Sequence, residues 1–455
     1  MNVVALTLVG ILLVAVLALL HRWQERIEAA RRERILEEER EAQARGSSAP
    51  LAQHPQIDAR SCIGCGACVD ACPEEGVLAL VDGVARVIHG ARCLGHGLCA
   101  DACPVGAVKI GLGELAKSPD LPALDGNLET SVPGVFIAGE LGGLSLIKNA
   151  VEEGVRALDG IAADLRSEGG ARGEVADVLI VGAGPAGFGA ALRAIERRLR
   201  YVLIDQEADI GGTVRKYPRR KLTLTAPMTL PLHGRVERRE FLKEELIALW
   251  EGIVARHGVR LRGGTRFLGL GREGDALVAR TSTGAIAARR VLLALGRRGT
   301  PRRLGVPGEE AEKVLYELVD AASYEGERIL VVGGGDSAAE AAIALAMRRP
   351  GARPNEVTLS YRRERFFRLK RKNEERLERA IADGLVRALL PSDVRAVEAR
   401  SVTLAVGPER RVETIGNDHV LVLAGGDPPY PLLREVGIRM GAEPEPAREP
   451  AGARA

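Results

Sequence analysis

A glycine pattern that occurs twice limits the fold more than any other feature of this chain. Asp177-Val-Leu-Ile-Val-Gly182-x-Gly184-x-x-Gly187 sets an apolar run before three glycines, and Pro185 and Ala186 lead into an Ala-rich stretch. A buried strand turning tightly into a helix needs that order. The glycines let the backbone approach a pyrophosphate seated on the helix N-terminus. Eighteen residues past Gly187, Asp205 closes a second apolar run, Tyr201-Val-Leu-Ile, where an acid takes ribose hydroxyls. Arg328-Ile-Leu-Val-Val-Gly333-Gly-Gly335-Asp336-Ser337-Ala338-Ala339-Glu340 repeats the pattern. Its second apolar run, 357–361, ends in Arg362-Arg363 instead of an acid. Arginine there suits the 2′-phosphate of NADP, whereas an acid would favour NAD. NADP is therefore expected, with NAD and a merely solvated basic helix face as the rivals. Both copies imply α/β folds built on parallel strands.

All seven cysteines lie between Cys62 and Cys103, an odd and clustered set that suits a metal better than disulfides. Cys62-x2-Cys65-x2-Cys68-x3-Cys72-Pro73 has the spacing of an iron–sulfur run whose fourth thiolate serves the other cluster. Cys93-x2-His96-x2-Cys99-x3-Cys103-Pro104 repeats the spacing with His in the second slot. Residues 57–110 resemble two-[4Fe-4S] ferredoxins, which implies a small α+β domain. On that resemblance Cys62, Cys65, Cys68 and Cys103 hold one cluster. Cys93, Cys99 and Cys72 hold the other, with His96 as candidate fourth ligand. Imidazole in place of an anionic thiolate would raise that cluster's potential, as in Rieske centres. Without ligation by His96 the alternatives are a [3Fe-4S] cluster, or a polar surface His beside a labile iron. Structural zinc prefers paired CxxC knuckles and is the weaker reading.

The paired dinucleotide folds carry further signs. Gly211-Gly212-Thr213 follows the first acid, and two strand-end segments run from Val291 to Gly296 and from Val420 to Gly425. Lys216-Tyr-Pro-Arg-Arg-Lys-Leu and Ser360-Tyr-Arg-Arg-Glu-Arg-Phe-Phe-Arg-Leu-Lys resemble the thioredoxin-reductase and bacillithiol-disulfide-reductase branch of two-domain flavoproteins. The resemblance implies FAD in the first fold and NAD(P)H in the second. It also implies a last strand, a Gly-Asp reaching the flavin ribityl chain and a helix aimed at the isoalloxazine. Nothing after Gly425 supplies these. Glu129-Thr-Ser-Val-Pro-Gly-Val-Phe-Ile-Ala-Gly139-Glu140, with Gly142-Gly143 and a helix over about 144–165, looks like the missing piece placed in front. A linker at 167–173 would join it to the first fingerprint. The expectation is a circular permutation, which surface termini lying close together allow. The rival is an unrelated βα unit of the ferredoxin domain. Glu140 stands where the family has Asp, one methylene longer.

Residues 3–20 are an unbroken apolar run, about 27 Å long as a helix and near the hydrocarbon thickness of a bilayer. No Lys or Arg precedes it, whereas Arg22, Arg26, Arg31, Arg32 and Arg34 follow. The expectation is a single-pass anchor in the inner (cytoplasmic) membrane with the body in the cytoplasm. A signal peptide and a buried helix are the rivals. Residues 21–45 carry seven Arg and seven Glu and read as a solvated charged helix, ended by a flexible linker at Gly46-Ser47-Ser48-Ala49-Pro50. The expected division is anchor 1–21, charged helix and linker 22–55, ferredoxin domain 56–113 and permuted flavin segment 124–166. An FAD domain 176–300, an NAD(P) domain 301–412, a return to the FAD domain 413–441 and a disordered tail 442–455 complete it. A net charge of +3 and 3% aromatics argue against nucleic acid as a partner.

No cysteine follows Cys103, and Val214 stands where one subclass of the flavoproteins carries a redox Cys. No catalytic side chain is expected, because the flavin would do the chemistry. The expected function is a membrane-anchored oxidoreductase that passes electrons between NAD(P)H, FAD, two clusters and an external protein or quinone. One alternative is NADPH-dependent reduction of a low-molecular-weight disulfide with the clusters as relay or sensor. The other is a non-enzymatic, membrane-tethered redox sensor or scaffold. A helix N-terminus near Gly143 and Leu144 would stabilise anionic reduced flavin, and Lys148 reads as a solvated side chain. A homodimer is expected by analogy alone.

Overall fold

The computed structural model describes residues 3–51, 53–112, 121–142, 146–168, 175–224, 227–238, 240–297 and 300–441, without the side chains of 3–11, 167, 168, 222, 224 and 300. Gly143, Leu144, most of the 167–173 linker and the 442–455 tail lie outside the described residues. The chain divides into two compact units, one of residues 1–51, 55–93 and 97–110, the other of 52–54, 94–96 and 111–455.

In the first unit α1 (Val3–Arg45) is one continuous helix, followed by β1 (His54–Ile57), α2 (Ala67–Asp70), β2 (Leu78–Val81), β3 (Val84–Val87), α3 (Leu98–Asp101) and β4 (Val108–Gly111). β2 and β3 form an antiparallel hairpin, and β1 pairs with β4. The charged stretch 21–45 is solvated over residues 21–34, as expected, but its last part is docked. Ala42 is fully buried with Val81 and Ile88, and Ile35 and Leu36 pack beside it. Arg32 pairs with Asp82 at 2.7 Å. The expected linker is a docked turn: Ser47 is buried, its Oγ lies 2.9 Å from His89 Nδ1, and its carbonyl accepts from Ala91 N at 2.9 Å. A few apolar residues among many Arg and Glu suffice to dock this helix, which is why composition hid it. At the other end Leu12, Leu13, Val14, Leu17, Leu19, Leu20 and Trp23 are exposed. Among the described residues no helix is long and apolar enough to cross a membrane, and the start of the 3–20 run lies outside the described side chains.

The larger unit begins with β5 (Val135–Ile137), α4 (Ile147–Glu168), β6 (Ala176–Val181), α5 (Pro185–Glu196) and β7 (Tyr201–Ile204). Short strands β8 (Leu222–Leu224), β9 (Met228–Leu230), β10 (Gly234–Val236) and β11 (Glu240–Leu242) precede α6 (Lys243–His257). β12 (Leu261–Arg262), β13 (Phe267–Glu273), β14 (Ala276–Thr281) and β15 (Gly284–Leu293) complete this half. The sheet order is β12-β7-β6-β15, all parallel, with the β14–β13 hairpin continuing from the first part of β15. β5 pairs in parallel with Val291–Leu293 of β15, so the outer parallel position is filled by a strand upstream of the fingerprint. α4 then lies on α5 so closely that a Cβ on Gly154 would overlap the Ala186 carbonyl oxygen.

The second half comprises β16 (Thr300–Pro301), β17 (Val314–Leu315), β18 (Arg328–Val332), α7 (Asp336–Ala346), β19 (Glu356–Ser360), α8 (Arg371–Ala382) and β20 (Val386–Leu389). β21 (Ser392–Val397), β22 (Ser401–Val406), β23 (Arg411–Gly416), β24 (His419–Val422), β25 (Gly426–Asp427) and α9 (Tyr430–Glu435) follow. A parallel sheet β17-β24-β18-β19-β20 forms its core, with β21–β22–β23 as an antiparallel meander. The return to the flavin half therefore starts later than residue 413, because β24 still pairs along β18 and β25 pairs with β16 of the same half. Tyr430, Leu433, Ile438 and Met440 then bury against Val135, Ile137 and Leu141. Gly441 N donates to Leu121 O at 2.6 Å and Ala123 N to Arg439 O at 3.0 Å, so the end of the second half meets the start of the β5 segment side by side. Valine at position 154 must separate α4 from α5. Gly154→Val is expected to cost about 3 kcal/mol as overpacking, measured by urea unfolding followed by far-ultraviolet circular dichroism.

Candidate dinucleotide and cluster sites

The three fingerprint glycines have different jobs. Gly182 has φ +108° and its Cβ position is filled by the Ala294 carbonyl, while a Cβ on Gly187 would overlap the Gly182 carbonyl oxygen. Both therefore serve close strand–turn–helix packing. Gly184, the residue before α5, has open space where a Cβ would stand. That space, at the amide-rich start of α5, is where a pyrophosphate fits. Gly212 leans on it, since a Cβ there would come 3.0 Å from Gly184 Cα, and Gly211 N donates to Ala183 O at 2.9 Å. Thr213 follows in the same single helical turn, and Val214 is buried. Asp205 braces the loop from below: it accepts from Ala183 N at 2.6 Å and from Glu207 N at 2.8 Å. Burial raises its pKa, and those two N–H donors oppose the rise.

The upstream segment reaches the same place. Gly139 ends β5 with φ +85°, and a Cβ there would come 3.0 Å from Ala186 Cβ. Glu140 opens the turn Glu140–Gly142 that follows. Under the turn sits Glu153, 9% exposed, whose Oε2 accepts from Gly139 N at 2.8 Å. Burial pushes this carboxyl up to about 7, against the pull of the Gly139 N–H and of Arg156. The sequence analysis missed Glu153, although an acid on the helix face that carries Ala150, Gly154 and Ala157 was a usable signal. Lys148 pairs with Glu152 at 3.6 Å.

In the second fold Gly333 is left-handed, with φ +153°, and a Cβ on Gly334 would overlap the Tyr361 ring. A Cβ on Gly335 would come 3.1 Å from Arg368 Nη2. Arg362 and Arg363 are exposed, Arg363 lying over the Phe367 ring at 4.3 Å. Burial raises the pKa of Tyr361, and the charges of Arg363, Arg368 and Arg362 oppose the rise; Arg368, which borders Gly335, was not singled out from sequence. The Asp336 carboxylate accepts from Lys370 N at 3.0 Å and Asn373 Nδ2 at 2.9 Å, bracing the arginine loop. Ala338 is buried beneath the turn and Ser337 is exposed.

The two cysteine runs share one local shape. Gly64 and Gly66 have φ +68° and +79°, Gly95 and Gly97 have +72° and +84°, and a short helix follows each pair. No disulfide joins any of the seven cysteines. Cys68, raised by burial, feels Cys62 and Cys103, while burial pushes Cys99 up to about 12 with Cys72 and Cys93 adding to it. Cys72 is raised by burial, with Glu74 and Cys68 adding, whereas the Val105 N–H and its neighbours lower Cys103. Burial and Lys370 bring His96 down to about 4, so its ring is neutral at pH 7. Among the described residues no three His, Cys, Asp or Glu side chains close on a single metal ion. A four-iron core needs a wider ring of thiolates than one ion does, and two interlocked sets of cysteines outside any disulfide suit it.

Two glycine cradles at the carboxyl ends of parallel strands define a flavin- and nicotinamide-dependent oxidoreductase. Residues 179–452 match the family model described as pyridine nucleotide-disulphide oxidoreductase, and the chain belongs to that family. Residues 54–104 match a 4Fe-4S dicluster domain. The ferredoxin–NADP reductase of Ignicoccus hospitalis is 31% identical over 267 residues, 58% of this chain and 82% of that protein. The ferredoxin–NADP reductase of Thermus thermophilus is 33% identical over 261 residues, 55% of this chain and 72% of that protein. The bacillithiol disulfide reductase of Staphylococcus aureus shares the fold, with a TM-score of 0.52 and 20% identity over 58% of this chain and 81% of that one. The protein is thus an FAD-dependent NAD(P)H oxidoreductase with iron–sulfur clusters.

Gly184→Val should give a folded protein that retains no FAD, whereas Gly187→Val should not fold, a contrast read by circular dichroism and flavin absorbance. Glu153 gives a pH test. Its folded pKa of about 7 exceeds the usual 4.5, so the folded state holds the proton more tightly and stability falls as pH rises from 4.5 through 7. Glu153→Gln removes that loss. It should match the natural protein near pH 4.5 and exceed it by roughly 3 kcal/mol at pH 8 in urea unfolding.

Proposed function

We propose that the protein carries electrons between NADPH and an external one-electron partner, through FAD and two clusters, from a position on the cytoplasmic face of the inner membrane. The carrying observation is that both dinucleotide cradles lie in a unit with no cysteine after Cys103, where Val214 fills the place of a redox thiol. Flavin supplies the conversion of a two-electron hydride into single electrons, and clusters accept these one at a time. Gly184, Gly212 and the α5 N-terminus would hold the FAD pyrophosphate, with Asp205 keeping that loop in place for the ribose. Glu140 would reach the ribityl chain from the turn that Glu153 supports. Gly333, Gly335 and the start of α7 would take NADPH, with Arg362, Arg363 and Arg368 around its 2′-phosphate. Cys62, Cys65, Cys68 and Cys103 would hold one cluster, and Cys72, Cys93 and Cys99 with His96 the other.

A permuted chain order accounts for β5 and α4 preceding the fingerprint and for residues 121 and 441 meeting side by side. The membrane reading is supported by the apolar 3–20 run and by the exposed Leu12, Leu13, Leu17 and Leu20. An anaerobic NADPH titration that follows flavin absorbance and cluster electron paramagnetic resonance tests the electron path. Flavin bleaching followed by a reduced-cluster signal is expected. Bleaching with silent clusters and turnover of a small disulfide would overturn it in favour of a disulfide reductase. Arg368→Ala should raise the KM for NADPH about tenfold or more and leave that for NADH nearly unchanged in steady-state assays. His96→Cys should lower the potential of the second cluster in a redox titration.

A further inference from the structure

The segment 217–221, basic and unusual in the sequence, has no part in either cradle. Lys243 Nζ holds it to the flavin half by donating to Tyr217 O at 2.9 Å, and Lys243 N donates to Lys221 O at 2.9 Å. From that fixed base it reaches the nucleotide half at three points. Arg219 N donates to Val319 O at 2.8 Å, and Arg219 Nη1 lies 3.4 Å from Asp320 Oδ2. Lys221 Nζ pairs with Glu340 Oε2 at 3.1 Å, the two side chains 24% and 36% exposed. Glu340 stands one turn into α7, the helix whose start carries the second glycine turn. Its other oxygen accepts from the buried Asn373 at 3.0 Å, and Asn373 also donates to Asp336, which holds Lys370 N.

We propose that Lys221 and Glu340 form a positioning pair that latches the flavin half onto α7, fixing the two halves in the orientation in which a hydride can pass from NADPH to FAD. Halves of one chain joined by connecting segments are free to move unless something holds them. A pair on this helix is well placed to do so. Glu340 is held by Asn373, so little side-chain freedom is lost when Lys221 binds. The hydrogen bonds through Asn373 and Asp336 join the same latch to the arginine loop that closes over the second glycine turn. The step it serves oxidises NADPH to NADP+ and reduces FAD by one hydride. Lys221 and Glu340 act by holding distance and angle. The proposal rests on the assignment of FAD and NADPH to the two folds.

The test is stopped-flow reduction of the flavin by NADPH, without oxygen, in the full FAD-loaded chain. The variants are Lys221→Met, which keeps the stem, Glu340→Gln, which keeps the acceptor for Asn373, and the two together. Each single variant should slow the limiting rate about tenfold or more, with half-saturating NADPH unchanged. The double variant should be no slower than the slower single, because one contact is lost in all three. Bleaching by dithionite, which needs no nicotinamide, should stay as fast as in the natural protein. Single variants at the natural rate, or slowdowns that multiply in the double variant, overturn the latch and leave the cofactor assignment standing. A natural protein whose flavin NADPH does not bleach overturns the assignment and the latch together.

Discussion

The larger unit is organised around the contact of α4 and the 139–142 turn with the first three residues of α5. Gly154 lets α4 settle on the Ala186 carbonyl, Gly139 lets the turn pass beside Ala186 Cβ, and Gly187 lets α5 start against the Gly182 carbonyl. Three helix and strand ends thus converge within van der Waals distance, and each would separate on gaining a single methyl group. Interiors packed at crystal-like density transmit such a shift instead of absorbing it. The open space before Gly184 exists because its neighbours are held this closely. A segment far upstream in sequence is therefore a structural part of the first cradle.

That packing also explains a carboxylate kept in the interior. Glu153 satisfies the Gly139 N–H, a donor that would otherwise be buried beneath the turn, at the cost of its own desolvation. The same economy recurs in the nucleotide half. Asp336 binds backbone and amide groups of the arginine loop, and Glu340 carries the chain on to Asn373 and Lys221. In both halves an acid near a glycine turn supports the loops around the cradle, and the glycines supply the space.

The cluster unit shows the same division between loop shape and support. Left-handed glycines set each cysteine run on its turn, while α1 covers the β2–β3 hairpin through Ala42, Ile35 and Leu36. His89, four residues before Cys93, is held by Ser47 and lies 3.3 Å from Glu38, so the helix that leads out of the apolar run also fixes the approach to a cysteine run. The helix from the N-terminus is part of the unit's core as well as a connection.

Local pattern determined what local forces decide. Both glycine turns, the strands that feed them and the two cysteine runs were legible because backbone geometry within a few residues dictates Gly, Cys and apolar alternation there. The upstream strand was legible for the same reason, as a short motif. Sequence did not reveal that Gly187 packs and Gly184 opens, since both are glycine and only the surrounding carbonyls distinguish them. It read Arg362 and Arg363 as a sign of a 2′-phosphate and left open which arginine of the basic run lies at the turn, because Arg368 comes there through the fold of a loop. It took 21–45 for a solvated spacer, because burial of Ala42 and Ser47 depends on a hairpin that follows tens of residues later. Side-chain roles set by contacts between distant segments, such as Glu153 under Gly139 and Lys221 against Glu340, belong to the tertiary structure, where close packing decides which polar groups lose water and which partners they must find.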